Sequence, residues 1–203
     1  DFGTGALGDI GCHRIDPVFR ALKLGHPTTV EGCCTIVNDE TYPVASRITY
    51  EFPAREGFCP VKLHWYDGGM KPPRPDELEQ GREWGTNGIL FVGDKGKMLE
   101  SRLIPETRSR EFGKPPKKLE RSPGHHQEWI NACKGGEPAG SNFPDHASLL
   151  AQVVLLGNMA IRPSLKEKLT RTKLHWDGEA MKVTNLPEAN QYLRCEYRDG
   201  WKL

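Results

Sequence analysis

The sequence predicts an α+β fold in which an open, mainly antiparallel sheet carries its helices on one face. Three observations predict it: a long amphipathic helix comes first, several strand-like stretches with short turns follow, and two further helices come only later. Because strands and helices occur in separate runs, a regularly alternating nucleotide-binding fold is disfavoured. The chain has 203 residues, enough for one domain with a sizeable core.

The first helix is predicted over residues 9–24, where apolar side chains recur at helical spacing. The helix is predicted to end there because Gly25 and Pro27 follow, and both residue types terminate helices. The stretches that follow are rich in β-branched and aromatic residues and are separated by short turns, which is typical of an antiparallel meander. Strands are predicted over residues 28–37, 44–52 and 61–66, and a further hairpin over residues 89–92 and 97–100.

Two helices and a final hairpin complete the prediction. The helix predicted over residues 124–134 is expected to bury a stripe formed by Trp129, Ile130 and Cys133. Residues 67–88 and 104–123 are rich in Gly, Pro or charge, so both are predicted as long surface excursions from a single domain over residues 1–203. The remaining predictions are helices over residues 124–134 and 145–161, strands over residues 174–176 and 181–184, and a short helix over residues 187–193.

Composition excludes several classes of partner. The 28 basic and 27 acidic residues nearly cancel, so no strong field attracts nucleic acid or an anionic membrane. No apolar run approaches the roughly 18 residues of a membrane span. The six cysteines lack the two-residue spacing of zinc ligands. We therefore expect no nucleic-acid partner, no membrane association and no metal site.

The residues best suited to chemistry lie on the first helix. Asp9, His13 and Asp16 are spaced by four and three, so they project from one side. A carboxylate one turn from an imidazole is a suitable proton-transfer couple. The alternative is structural: Asp9 caps the helix and His13 lies on a solvated surface.

Glycines precede this helix. Gly3, Gly5 and Gly8 match the spacing of a dinucleotide-binding loop, and Glu31 follows about twenty residues later. Asp9 would oppose a pyrophosphate in that loop, and consecutive strands replace the alternation that a nucleotide fold needs. The glycines are better explained by a close approach of the backbone to a ligand or to another domain.

The Gly-rich approach followed by Asp, three residues and His resembles the active-site helix of the Gfo/Idh/MocA oxidoreductases, the glucose-fructose oxidoreductase and inositol dehydrogenase group. Four other segments resemble the C-terminal region of bacterial members, so the resemblance covers essentially the whole chain. These segments are residues 91–97, 125–134, 155–158 and 185–190.

This resemblance implies a dihydrodipicolinate-reductase-like C-terminal domain that binds substrate and transfers a proton. The enzyme would oxidise or reduce a hydroxyl-bearing carbon of a sugar, cyclitol or glycoside, with His13 as the general acid/base and Asp9 as the substrate-contacting or orienting carboxylate. NAD or NADP would be bound mainly by an N-terminal Rossmann domain of the same polypeptide, which is not in this chain, and Gly5 and Gly8 would line the interface with it. The fragment alone is expected to be inactive.

Four further side chains are candidates for binding a carbohydrate-like substrate: Asp16 on the first helix, and Lys62, His64 and Trp65 on the third predicted strand. Core packing is the better explanation for whichever of His64 and Trp65 points inward, and a solvated sheet face explains Lys62 equally well. A sheet with helices on one face needs cover on the other, and a second copy of the chain would supply it, so we expect a homo-oligomer.

Two other functions remain open at this point. Some relatives in the family use NAD for a redox-assisted glycoside cleavage, so the parent enzyme could be a hydrolase. The chain could also be a non-catalytic binding or oligomerisation domain. A cytoplasmic location is expected, and a periplasmic one stays open because any leader would precede Asp1.

Overall fold

The structure is a computed structural model that describes residues 3–38, 40–83, 85–162 and 173–201. Its residues form two compact units, which we call the large unit (Asp1–Lys71 and Phe143–Leu203) and the small unit (Pro72–Asn142). The elements in chain order are α1 (Gly5–Ala21), β1 (Thr29–Cys34), β2 (Ser46–Phe52), β3 (Val61–Tyr66), β4 (Leu90–Gly93), β5 (Gly96–Leu99), β6 (Arg102–Ile104), α2 (Glu106–Phe112), α3 (His125–Cys133), a π-helix (Phe143–Ala147), α4 (Ser148–Ala160), β7 (Leu174–Asp177), β8 (Lys182–Val183) and a 3-10 helix (Pro187–Leu193). That the whole chain acts as one domain stays a prediction.

The large unit contains a five-stranded antiparallel sheet in the order β3-β2-β1-β7-β8. The first three strands form the predicted meander. The fourth strand of this sheet, β7, comes much later in the chain. It pairs with the side of β1 that β2 leaves open, and Leu174 lies opposite Val30 there. The predicted α+β class with a mainly antiparallel sheet is therefore confirmed.

Helices α1 and α4 pack against each other and contribute to one core with the sheet. Alternate residues of β2, namely Ile48, Tyr50 and Phe52, are almost completely buried in it. Gly157 of α4 lies directly against Tyr50, and a Cβ there would overlap the Tyr50 hydroxyl and come within 2.6 Å of Leu7. Glycine at this position therefore allows α4 to lie close to β2 and α1.

The other face of the sheet is mostly polar. Apolar side chains of β1, β2 and β3 alternate toward the helices, which already cover them. The homo-oligomer itself stays a prediction. The alternate residues on the outer face are Thr29, Glu31, Cys33, Arg47, Thr49, Glu51, Lys62, His64 and Tyr66.

The small unit has a three-stranded antiparallel sheet, β4-β5-β6, followed by α2. The predicted loop over residues 104–123 is wrong in part, because it contains the end of β6 and all of α2. Helix α2 has a single apolar residue, Phe112, so it has no apolar periodicity to detect. An ion pair one turn apart supports it instead, with Arg110 Nη2 2.9 Å from Glu106 Oε1.

Helix α3 also has no buried residue. Trp129 is 65% exposed, and Ile130 and Cys133 are exposed as well, so their predicted burial is wrong for this chain alone. The apolar spacing predicted an amphipathic helix correctly, but spacing cannot show what such a stripe packs against. Within the described ranges, no helix has the length and apolarity needed to cross a bilayer.

Candidate functional site

Helix α1 is anchored in the core on one side and open to solvent on the other. Leu7, Ile15 and Phe19 are buried, whereas Asp9 and His13 are exposed one turn apart. Neither Asp9 nor His13 makes a side-chain hydrogen bond or ion pair with any residue that the structure describes. The structure thus places the predicted couple on an accessible surface without bonding its two members to each other.

Asp16, the third residue of this stripe, is bonded to a different imidazole. Nε2 of His146 hydrogen-bonds Oδ1 of Asp16, and Arg20 Nε lies 3.7 Å from the same oxygen. His146 is only 8% exposed, and its ring meets Phe19 edge-on with 5.7 Å between centroids. The carboxylate of Asp16 is therefore fixed by a buried histidine that sequence reasoning did not single out.

The π-helix Phe143–Ala147 carries His146 to this position, directly before α4 begins. A π-helical turn holds more residues than an α-helical turn, so it changes the direction of the side chains that precede α4. The only signal in the sequence was a histidine at the start of an otherwise apolar helix. That signal does not identify a partner 130 residues away.

Two glycines in the first turn of α1 lie against side chains of this chain. Gly5 has a φ of +57°, and a Cβ there would overlap the ring of Tyr42. A Cβ at Gly8 would overlap the side chain of Thr4. Both glycines therefore allow a close approach of side chains of this chain to the backbone of α1. That Gly5 and Gly8 line an interface with a nucleotide-binding domain stays a prediction.

Tyr42 joins the start of α1 to the sheet. Its hydroxyl donates to Oδ2 of Asp67 at 3.0 Å, and the same oxygen accepts from Ser46 Oγ and Trp65 Nε1, each at 2.8 Å. Burial is the main reason that the pKa of Tyr42 is raised above its ordinary value. The network stabilises the position of the loop that packs over Gly5.

The structure separates the predicted substrate-binding residues. Trp65 points toward the helices, is partly buried against the core and bonds Asp67. Lys62 and His64 lie on the outer face of the sheet, on the side away from Asp16. The four residues therefore do not form one site.

The outer face is organised by a carboxylate. Glu51 lies 3.1 Å from Lys62 Nζ and 2.9 Å from Lys173 Nζ, and it also accepts from Thr29 Oγ1 at 3.0 Å. Hydrogen bonds from Lys173 and then Lys62 lower the pKa of Glu51 to about 2. Lys62 is therefore already engaged in an ion-pair network.

His64 is held beside this network. Its Nδ1 lies 2.9 Å from Thr49 Oγ1, and its ring is 6.4 Å from that of Tyr66. Burial lowers the pKa of His64, and the positive charges of Arg47 and Lys62 lower it further. Near neutral pH, His64 is therefore an uncharged hydrogen-bonding group.

Among the residues described, no three His, Cys, Asp or Glu side chains form a group that could hold a metal ion. The fold and site together define an α+β domain with acid–base side chains exposed on a core-anchored helix. No protein-family model and no curated protein matches the chain.

Proposed function

We propose that this chain is the substrate-binding and proton-transfer domain of an NAD(P)-dependent oxidoreductase of the Gfo/Idh/MocA type, with a dihydrodipicolinate-reductase-like fold. Its substrate would be a hydroxyl group of a sugar, cyclitol or glycoside. One observation carries the proposal: α1 is fixed in the core by Leu7, Ile15 and Phe19 and exposes Asp9 and His13 one turn apart. A catalytic base must be both rigidly held and accessible to its substrate.

In this proposal, a ring nitrogen of His13 accepts the proton of the substrate hydroxyl as the adjacent carbon loses hydride and becomes a carbonyl. Asp9, one turn away, orients the imidazole and stabilises its charge once it is protonated. When bound, NAD(P) supplies the acceptor for the hydride. Asp16 and His146 hold the next turn of α1 in place through their buried contact.

The partner for this chemistry would be an N-terminal Rossmann domain of the same polypeptide. The sheet topology supports that division, because every strand pair of the described residues is antiparallel, whereas a nucleotide-binding fold alternates parallel strands with helices. The dinucleotide would thus be bound mainly elsewhere, and the isolated chain would not turn over substrate.

The test begins with the coding sequence upstream of Asp1 and continues with the full polypeptide, assayed with NAD or NADP and a panel of sugars and cyclitols. We expect His13→Ala to lower kcat by about 10²–10⁴-fold, the typical contribution of general acid–base catalysis. His175→Ala is the matched control, because His175 is also exposed but lies on β7. Sustained redox turnover by the isolated chain, or unchanged kcat in His13→Ala, would contradict the proposal.

The redox-assisted hydrolase uses the same site, and glycoside release without net reduction of NAD would favour it.

Another observation favours an oligomerisation role: the outer face of the sheet carries both signs of charge, with Glu31 and Glu51 beside Arg47, Lys62 and Lys173. Such a face is complementary to a second copy of itself. Analytical ultracentrifugation at low and high salt tests this role, since a polar interface should weaken as salt rises.

A further inference from the structure

The small unit contains an open cavity of about 540 Å³ between the turn that joins β4 to β5 and helix α2. Pockets that bind small molecules are typically about 300–1,000 Å³. The backbone of Gly93 and Gly96 lines one side of the cavity, and residues of α2 line the other. The cavity is therefore large enough for one small ring compound.

Four charged side chains line this cavity, and none of them makes a hydrogen bond or ion pair with the residues covered by the structure. They are Asp94, Lys95, Arg108 and Glu111. Three ion pairs in the same unit lie outside the cavity: Lys97 with Glu77 at 2.6 Å, Arg82 with Glu79 at 3.2 Å and Arg110 with Glu106 at 2.9 Å. The donors and acceptors of the cavity are thus available to a ligand.

Two features give the cavity a defined shape. The guanidinium of Arg108 lies over Gly96, which has a φ of +150°, and a Cβ at Gly96 would overlap it. Phe112, one turn after Arg108, is 67% exposed and forms an apolar surface with Leu103. The cavity therefore combines an aromatic surface with polar groups of both signs.

We propose that this cavity binds a hydroxyl-rich ring of the carbohydrate class. The C–H face of the ring would lie on Phe112, and its hydroxyls would bond the donors of Lys95 and Arg108 and the acceptors of Asp94 and Glu111. The charges of these four groups sum to zero, so a neutral ligand fits better than an anion. The inference does not depend on the function proposed for α1.

The test is an NMR titration of this chain labelled with ¹⁵N. The probes are methyl β-D-glucopyranoside, myo-inositol and, as an arm for a simple anion, inorganic phosphate. We expect the sugar or the cyclitol to shift the amide signals of residues 93–96 and 108–112. Arg108→Gln and Phe112→Ala should each weaken that binding by about fivefold or more, the size expected when one hydrogen bond or apolar contact is lost.

Arg110→Gln is the matched control, because Arg110 lies on the same helix and is paired with Glu106 outside the cavity. It should bind the probe as tightly as the unaltered chain. All three substituted side chains are exposed, so the amide spectrum of each variant should otherwise be retained. Three results would overturn the proposal: no shift with either ring compound, equal shifts with phosphate, or the same loss of binding in Arg110→Gln as in Arg108→Gln.

Discussion

The hydroxyl of Tyr50 occupies the space that a side chain at Gly157 would need. Tyr50 is completely buried, and its hydroxyl has no hydrogen-bond partner among the described residues. A buried hydroxyl without a partner costs free energy, and a glycine in a helix interior costs about 1 kcal/mol relative to alanine. Both costs arise at the same contact between β2 and α4.

Gly157→Ala should lower the free energy of unfolding by about 2 kcal/mol, because overpacking in a rigid core outweighs the better helix propensity of alanine. Tyr50→Phe should be neutral or slightly stabilising. The double variant should recover at least about 1 kcal/mol relative to the additive sum. Urea unfolding of the four proteins measures this coupling.

Gly11→Ala provides the control for that cycle. Gly11 lies in the same helix pair, and the atoms nearest to a Cβ there belong to Leu7 and Val154 rather than to Tyr50. Its effect should therefore add to that of Tyr50→Phe. Equal coupling in both cycles would show that the hydroxyl is not the group that excludes a side chain at residue 157.

His146→Ala should lower the free energy of unfolding by about 2 kcal/mol, since it removes a buried ring that contacts Phe19 and bonds Asp16. His13→Ala should change the free energy of unfolding by less than about 0.5 kcal/mol, because His13 is exposed on α1. Thermal and urea unfolding compare the two variants. Equal losses would contradict the different roles assigned to the two histidines.

The pKa of about 2 for Glu51, below its ordinary value of 4.5, predicts a pH dependence of stability. A lowered pKa in the folded state means that the carboxylate stabilises the protein above pH 4.5 and that this contribution is lost as pH falls toward 2. Glu51→Gln should therefore lower the free energy of unfolding by about 1 kcal/mol at pH 7, and the difference should shrink between pH 4.5 and 2.

Glu31→Gln is the control for this pH series. Glu31 lies on the same sheet face but makes no hydrogen bond through its side chain with the described residues. Its substitution should have a smaller effect at pH 7 and little dependence on pH. A difference for Glu51→Gln that stays constant down to pH 2 would show that its ion pairs do not act on stability.

The sequence predicted the large unit well because buried residues recur at regular strand or helix spacing in its elements. Residues 61–66 were predicted as a strand with its exact bounds, and α4 was found from its apolar spacing. Helix α1 begins four residues earlier than predicted, at Gly5, where the positive φ and the contact with Tyr42 are tertiary features. The errors in the small unit have two causes: α2 lacks apolar periodicity, and the apolar stripe of α3 is exposed in this chain, which spacing alone cannot show.

The candidate site was predictable only where it depends on local spacing. Asp9, His13 and Asp16 were placed on one side of α1 by their separation of four and three. The bond from His146 to Asp16 depends on a π-helical turn and on the packing of α1 against α4, neither of which has a sequence signature. Strand alternation alone indicates that Trp65 lies on the opposite face of the sheet from Lys62 and His64. The sheet topology was needed to show that Lys62 and His64 lie on the side away from Asp16.

The π-helix before α4 makes the reach of His146 sensitive to chain length as well as to residue identity. Removing Ala147, which lies between His146 and α4, would allow an ordinary α-helical turn and rotate His146 by about 100° around the axis. His146 would then no longer hydrogen-bond Asp16, although both residues would still be present in the sequence. A single-residue deletion in this turn should therefore detach the imidazole as completely as replacing the histidine itself.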